Sequence, residues 1–285
     1  MANQYIDKIL QRINENTNTT TNVGIIIASP SESPPYKYHW IRDSALVMRT
    51  IVDMYRTTKD PIYFQSILNY IEIESRLQGL ETISGLGEPK YNINCTAFNG
   101  SWGRPQNDGP ALRGIILFQI IELFAYKYET IVKQLILPII IKDLNYLLSN
   151  YRKVSFDIWE EKKGWHFYTR MVQAKFLKEA LRFKKLFGDE MDTELVINAY
   201  KGLLSDLNDH INGETIISSF DEKGKIIKYE DAANLLAFCH INYDEEILKT
   251  VPLEYVNHTC DGLIQAFRKK YKDDEMNLIG RYIDD

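Results

Sequence analysis

The sequence predicts a single, mainly α domain. Apolar residues recur at three- and four-residue spacing along most of the 285 residues. The periodic stretches are separated by connections rich in Gly and Pro. No compositional break divides the chain, and the only low-complexity segment is the polar NENTNTTTN at 14–22. Helices joined by long loops of this kind pack as stacked hairpins, with the loops gathered on one side.

Taken in order, the periodicity predicts helices near 3–14, 44–57, 61–78, 110–126, 130–151, 166–187 and 192–208, with shorter ones near 230–240 and 261–271. The helix after Asp43 carries Val47, Met48, Ile51, Met54 and Tyr55 on one face. Asp108 is a natural N-cap, and Pro110 suits a first helical turn. The alternating segment ETIISSFDEKGKIIKY predicts a hairpin turning at 222–224.

Composition bounds the function. Hydrophobic residues make up 45% and charged residues 26%, ordinary for a globular protein. A formal net charge of −5 argues against nucleic acid or an anionic membrane as the main partner. The one basic run, FRKKYK from Phe267, is offset by Asp273, Asp274 and Glu275 and reads as a solvated helix end. No 18-residue apolar run is present; the longest greasy segment, LILPIIIKDL, is broken by Pro138 and Lys142. The N-terminal MANQYIDKILQRINEN is too charged for a secretory signal. Cys95, Cys239 and Cys260 lack metal-ligand spacing and cannot all pair within one chain. An intracellular, reducing location is therefore expected, in which the sequons at Asn18, Asn94, Asn99 and Asn257 carry no sugar.

The informative residues lie in three loops. YKYHWIRDS places Tyr36, Tyr38 and Trp40 beside the Arg42–Asp43 pair. Rings next to one charge pair suit a sugar, and also suit a capped helix packed on a core. The loop from Gly85 to Arg113 holds Trp102 and Arg104 among glycines and prolines, where a Trp has few core neighbours from its own segment. In SFDIWEEKKGWHFYTR, Glu160 and Glu161 are adjacent, so their side chains diverge and they cannot be two opposed carboxylates. One of them could protonate a leaving oxygen; equally, the pair could sit on a solvated helix start.

Together the segments YKYHWIRDS, GLGEPKYN…GSWGRPQNDGPALR and FDIWEE resemble the motifs of the glucoamylases of glycoside hydrolase family 15, in the same order. EDAANLLAFCHI and IGRYIDD are similar to later family segments, so the likeness runs over nearly the whole chain. It corresponds to about the N-terminal two-thirds of the family's catalytic domain. The resemblance implies an all-α fold, an (α/α)6 barrel, incomplete at its C-terminus. It implies hydrolysis of terminal α-1,4 glucosidic bonds at the non-reducing ends of starch- or glycogen-like glucans, with inversion and release of β-glucose. It implies no cofactor and no metal.

Residue by residue, Glu160 matches the general acid and Glu161 a carboxylate that binds sugar hydroxyls. Arg42 and Asp43 match the pair that grips the terminal glucose, and Tyr36, Tyr38 and Trp40 its aromatic wall. Asp43 is expected to cap its helix as well. Trp102, Arg104, Asp108 and Arg281 match other substrate-binding positions. Departures are Ala233, where the family has Asn, and Ile283, where it has Pro. The segment that carries the catalytic base in the family has no counterpart, and none of Asp273, Asp274, Glu275, Asp284 and Asp285 is promoted to that role. Two expectations follow: an open ring of helices prone to self-association, and, as an alternative to hydrolysis, a glucan-binding or regulatory pseudoenzyme.

Overall fold

The computed structural model describes residues 2–17, 22–241, 244–273, 275 and 278–283. Asn18, Asp274, Asp284 and Asp285 lie outside them. The chain is predominantly helical. It divides into two compact units, Met1–Pro105 with Leu112–Tyr146, and Gln106–Ala111 with Leu147–Asp285.

The first unit contains α1 (Ala2–Thr17), α2 (Ile41–Thr58) and α3 (Pro61–Leu77). It also holds most of α4 (Asp108–Phe124) and of α6 (Leu137–Asn150), with a short α5 (Glu129–Ile131) between them. Two short strands, β1 (His39–Trp40) and β2 (Lys90–Tyr91), pair antiparallel, with His39 opposite Tyr91 and Trp40 opposite Lys90. Helix α2 begins one turn earlier than expected. Trp40, in extended backbone, is its N-cap residue and makes no side-chain cap. Asp43 therefore does not cap the helix; it lies inside the first turn, where its charge meets the positive end of the helix dipole. Asp60 does cap α3, accepting from Ile62 N, with Pro61 at the first position.

The helix expected over 130–151 is interrupted. Residues Val132–Ile136 form a π-helical turn just before Pro138. Pro138 has no N–H, and its ring crowds the carbonyl four residues back, so the backbone widens ahead of it. Helix α4 is buried along nearly its whole length, Pro110 through Phe118 without a break, which its all-round apolar sequence demands. Arg113 is a buried cation in the middle of that helix. Its guanidinium donates to Asp143 Oδ1 and Oδ2 (2.6 and 2.8 Å) and to Glu74 Oε2 (2.8 Å), so a charged group inside the core is fully paired.

The second unit is built on α7 (Phe167–Arg182), with 13 of its 16 residues buried. Against it pack α8 (Thr193–Asn208) and α9 (Ala232–Phe238); α10 (Glu245–Thr250) packs on α8, and α11 (Glu254–Tyr271) on α9. Asp192, Asp231 and Asp244 cap α8, α9 and α10 through their carboxylates. The basic end of α11 is a helix terminus, closed by Lys272 in the left-handed conformation. The expected hairpin exists as β7 (Ser219–Phe220) and β8 (Ile226–Lys228). It belongs to a four-stranded antiparallel sheet with β3 (Ser155–Phe156) and β4 (Lys163–His166), in the order β3-β4-β7-β8. A further hairpin joins β5 (Ile211–Asn212) to β6 (Thr215–Ile216).

Candidate active site

In the first unit, the β1–β2 ladder sets Trp40 directly across from Lys90. The Lys90 side chain is buried, and its ammonium stands 3.1 Å from the Trp102 ring centroid. It is 4.3 Å from those of Tyr38 and Phe98 and 4.5 Å from that of Trp40. A cation enclosed by four rings is a strong local organiser. The rings also meet one another edge-on, Trp40 with Trp102 at 6.0 Å and Tyr38 with Trp40 at 5.7 Å, while Tyr36 tilts on Trp40 at 5.9 Å. Trp40 is buried, whereas Tyr36 is exposed. Arg42 Nε is 4.0 Å from Asp43 Oδ2; Arg42 is buried and Asp43 partly open.

The loop bearing Trp102 is held from beneath. Arg104 donates from Nε to both oxygens of the buried Glu88 at 3.0 Å and from Nη2 to Oε1 at 2.8 Å. Its Nη1 donates to the carbonyl of Gly100 at 2.9 Å. Gly87 has no room for a side chain: a Cβ there would lie 2.1 Å from the Tyr146 hydroxyl and 2.7 Å from Pro105 Cβ. The glycine of this loop is thus a packing requirement.

In the second unit, β3 and β4 are joined by the turn 157–162. Its central acidic residue, Glu160, has φ +68°, a left-handed conformation that costs a non-glycine residue about 1–2 kcal/mol. Asp157 enforces it. Its backbone closes both sides, Glu160 N donating to Asp157 O (3.0 Å) and Asp157 N to Lys162 O (2.9 Å). Its Oδ1 accepts the amides of Glu161 and Lys162 at 2.8 and 3.1 Å. Gln106 Nε2 donates to Glu160 Oε1 at 2.8 Å. Glu161 turns elsewhere, to Arg281 Nη1 at 3.2 Å and to the Tyr282 hydroxyl. The divergence expected of adjacent side chains is therefore real.

Behind the turn, Lys228 Nζ lies 2.9 Å from Asp157 Oδ2, 3.4 Å from Asp231 Oδ2 and 3.7 Å from Glu161 Oε2. Trp159 Nε1 donates to both oxygens of Asp231 at 2.8 and 3.0 Å. Burial pushes the Asp157 carboxyl up, but Lys228 and the two amides outweigh it and leave it below the usual range. Asp231 stays above its usual range because burial there exceeds the help of Ala233 N, Trp159 and Lys228. Asp108 is buried in the first turn of α4. A cavity of about 560 Å³ is lined by Ile227, Lys228, Glu230, Leu263 and Tyr282 among others. Glu160 does not line it.

Residues 3–283 match the profile of Glycosyl hydrolases family 15. The chain belongs to that family. It is 38% identical over 225 residues to a glucoamylase of Blastobotrys adeninivorans, covering 73% of this chain and 34% of that protein. It is 35% identical over 244 residues to a probable glucoamylase of Schizosaccharomyces pombe, covering 81% and 53%. Among solved structures, a glucoamylase from Saccharomycopsis fibuligera superposes with a TM-score of 0.86 at 27% identity, covering 99% of this chain and 67% of that one. A family 15 glucoamylase from Hypocrea jecorina gives 0.87 at 28%, covering 100% and 52%. The chain thus spans about half, or less, of the length of these curated relatives. The all-α, (α/α)6 class expected from its motifs is that of its family 15 neighbours.

Within the family 15 chain, the predicted residues fall into two clusters, one in each unit. Tyr36, Tyr38, Trp40, Arg42, Asp43, Trp102 and Arg104 lie in the first; Asp108, Glu160, Glu161 and Arg281 lie in the second. Sequence reasoning passed over Glu88, Lys90, Gln106, Asp157 and Tyr282, although each stands inside a quoted motif, and Phe98, which lies between two of them. It also missed Lys228 and the part Asp231 plays. No local pattern marks Lys228: only the β8 register brings it to the turn. Asp273 and Glu275 are exposed beyond α11. Among the described residues, no helix is long and apolar enough to cross a membrane.

Proposed function

We propose that the chain hydrolyses terminal α-1,4 glucosidic bonds at the non-reducing ends of starch- or glycogen-like glucans, inverting the anomeric carbon and releasing β-glucose. The observation that carries this reading is the Glu160 turn: a carboxyl group on a strained residue, held from the backbone by Asp157 and from the side chain by Gln106. Strain sustained in this way is characteristic of functional positions, and family membership supplies the chemistry. Glu160, as the carboxylic acid, gives its proton to the glycosidic oxygen as the C1–O bond breaks. Water then attacks the opposite face, its proton taken by a carboxylate standing about 6.5–9.5 Å from the acid. We assign that base to none of the residues of this chain.

The other residues bind. Glu161, oriented by Arg281 and Tyr282, accepts hydrogen bonds from sugar hydroxyls. Arg42 and Asp43 take the hydroxyls of the terminal glucose by charge-assisted hydrogen bonds. Tyr36, Tyr38, Trp40 and Trp102 supply the apolar contact that a pyranose face needs. Arg104 contributes by holding the Trp102 loop, while Asp108, expected to be an N-cap, is instead the first residue of α4 and contributes its buried carboxylate there. The α-glucan is thus the partner, with no metal or organic cofactor required by this chemistry.

Glu160→Gln tests the reading, because Gln keeps the shape and one hydrogen bond but has no acidic proton to give. Glucose release from maltooligosaccharides should fall by about 10²–10⁴-fold, while calorimetry shows sugar affinity retained. Proton NMR of the first product should show the β-anomer. A wild-type chain that releases no glucose, or a variant as fast as wild type, overturns the reading; an α-anomer overturns inversion.

A further inference from the structure

We infer that Lys228 is a positioning residue for the Glu160 turn, a role that rests on the reading of Glu160 as the acid. Lys228 ends β8, two strands away from the β3–β4 turn in the sheet order, and its side chain is 7% exposed. Its ammonium touches both supports of the turn. One is Asp157, whose Oδ2 takes Lys228 while its Oδ1 takes the two amides that follow Glu160. The other is Asp231, whose oxygens hold the indole N–H of Trp159, the residue immediately before Glu160. The residues on both sides of Glu160 are therefore tied, through carboxylates, to one cation.

That arrangement answers a physical problem posed by the fold. A left-handed glutamate relaxes to ordinary backbone unless its surroundings over-determine it. Asp157 can clamp two amides strongly only as a carboxylate, and it is buried. Asp231 is buried as well, so two carboxylates lie within 3.4 Å of the same ammonium. The charged groups facing Lys228 are Asp157 and Glu161 from the turn and Asp231 from the α9 cap; the Tyr282 ring closes its remaining side at 3.9 Å. Arg281, beside Tyr282, engages Glu161 rather than the two buried aspartates. Without Lys228, Asp157 and Asp231 face each other's charge in a desolvated site. One of them then takes up a proton or draws in water, and the amide clamp weakens.

The test compares wild type with Lys228→Met, which keeps length and removes charge, and Lys228→Arg, which restores charge. With maltotriose, Lys228→Met should lower kcat at least tenfold while KM stays within about threefold, because Arg42 and Asp43 are untouched and Glu161, although it loses Lys228, keeps Arg281 and Tyr282. Lys228→Arg should recover most of the loss. Hydrogen exchange of the Glu161 and Lys162 amides should quicken at least tenfold in Lys228→Met, with protection in α7 unchanged. If Lys228→Met fails to fold, Lys228→Gln carries the same comparison. Where Glu160→Gln is impaired, an unchanged kcat in Lys228→Met overturns the proposal whatever the exchange shows, and so does faster exchange spread evenly through α7 and the sheet. Failure of the Glu160 reading looks different: wild type and Glu160→Gln would then release glucose equally or not at all. In that event the proposal stands or falls on whether the two amides alone lose protection.

Discussion

Gln106 Nε2 lies 2.8 Å from Glu160 Oε1, a hydrogen bond joining residues 54 positions apart in the chain. Gln106 is almost wholly buried, so its amide cannot exchange this partner for bulk water. Hydrogen bonds to charged or ionisable groups are worth about 1.5–3 kcal/mol. Gln106→Leu should therefore lower kcat/KM by at least tenfold, and global stability should fall by only about 1–2 kcal/mol. Steady-state kinetics beside a urea melt separates the two. Full activity in a folded variant would contradict the assigned position of the acid.

The Arg113 network should be strongly asymmetric to mutation. Arg113→Met leaves Glu74 and Asp143 buried without their cation and should cost about 3–5 kcal/mol. Replacing all three residues by apolar ones of similar volume should cost less than that single change. Equilibrium denaturation of the single and triple variants decides it; a single mutant milder than the triple would refute the account.

Stability should decline in mild acid through His210. Burial first, and then the charge of Arg170, lower its pKa to about 3. The ring accepts from Arg170 Nη1 at 3.0 Å and donates from Nδ1 to Ile217 O at 2.7 Å, so neither nitrogen can accommodate an added proton. Between about pH 6.5 and 3 the unfolded chain therefore binds one more proton at this site than the folded chain. The stabilisation is complete above about pH 6.5 and is lost as pH falls, by about 1.4 kcal/mol per unit. His166, buried and shifted in the same direction, adds to the loss. Urea midpoints at pH 7.5 and 5 should differ accordingly. His210→Gln, which can accept and donate at the same two partners, should flatten that dependence by about one proton.

Gly164 should resist substitution. It lies in β4 opposite Ser155, and a Cβ built there would sit 2.1 Å from the carbonyl oxygen of Phe220. Backbone cannot step aside as a side-chain tip can. Gly164→Ala should thus push β4 from β7, cost about 1–3 kcal/mol, and disturb the Glu160 turn that the same hairpin carries. Loss of activity together with a lowered melting temperature is the expected result.

Local chemistry alone was enough for much of this protein. Helical periodicity located α2, α3, α4, α7 and α8 because a helix that must bury one face repeats its apolar residues every turn. Alternation of apolar and polar residues located the hairpin that turns at 222–224 for a similarly local reason. Motif likeness marked out the segments that hold Glu88, Lys90, Gln106 and Asp157 but did not single out those residues, whose contacts lie across segments. Tertiary structure decided what no local pattern encodes. It started α2 at Ile41, so that Asp43 fell inside the helix instead of capping it. It closed four rings around Lys90 through the β1–β2 register, and joined β3 and β4, too short to show alternation, to the hairpin that alternation located. It brought Lys228 from β8 and Asp231 from the head of α9 onto the Glu160 turn, a juxtaposition set by strand pairing. Periodicity records which face of an element is buried. Only packing determines which charges meet once the faces are joined, because that depends on register and distance between segments far apart in the chain.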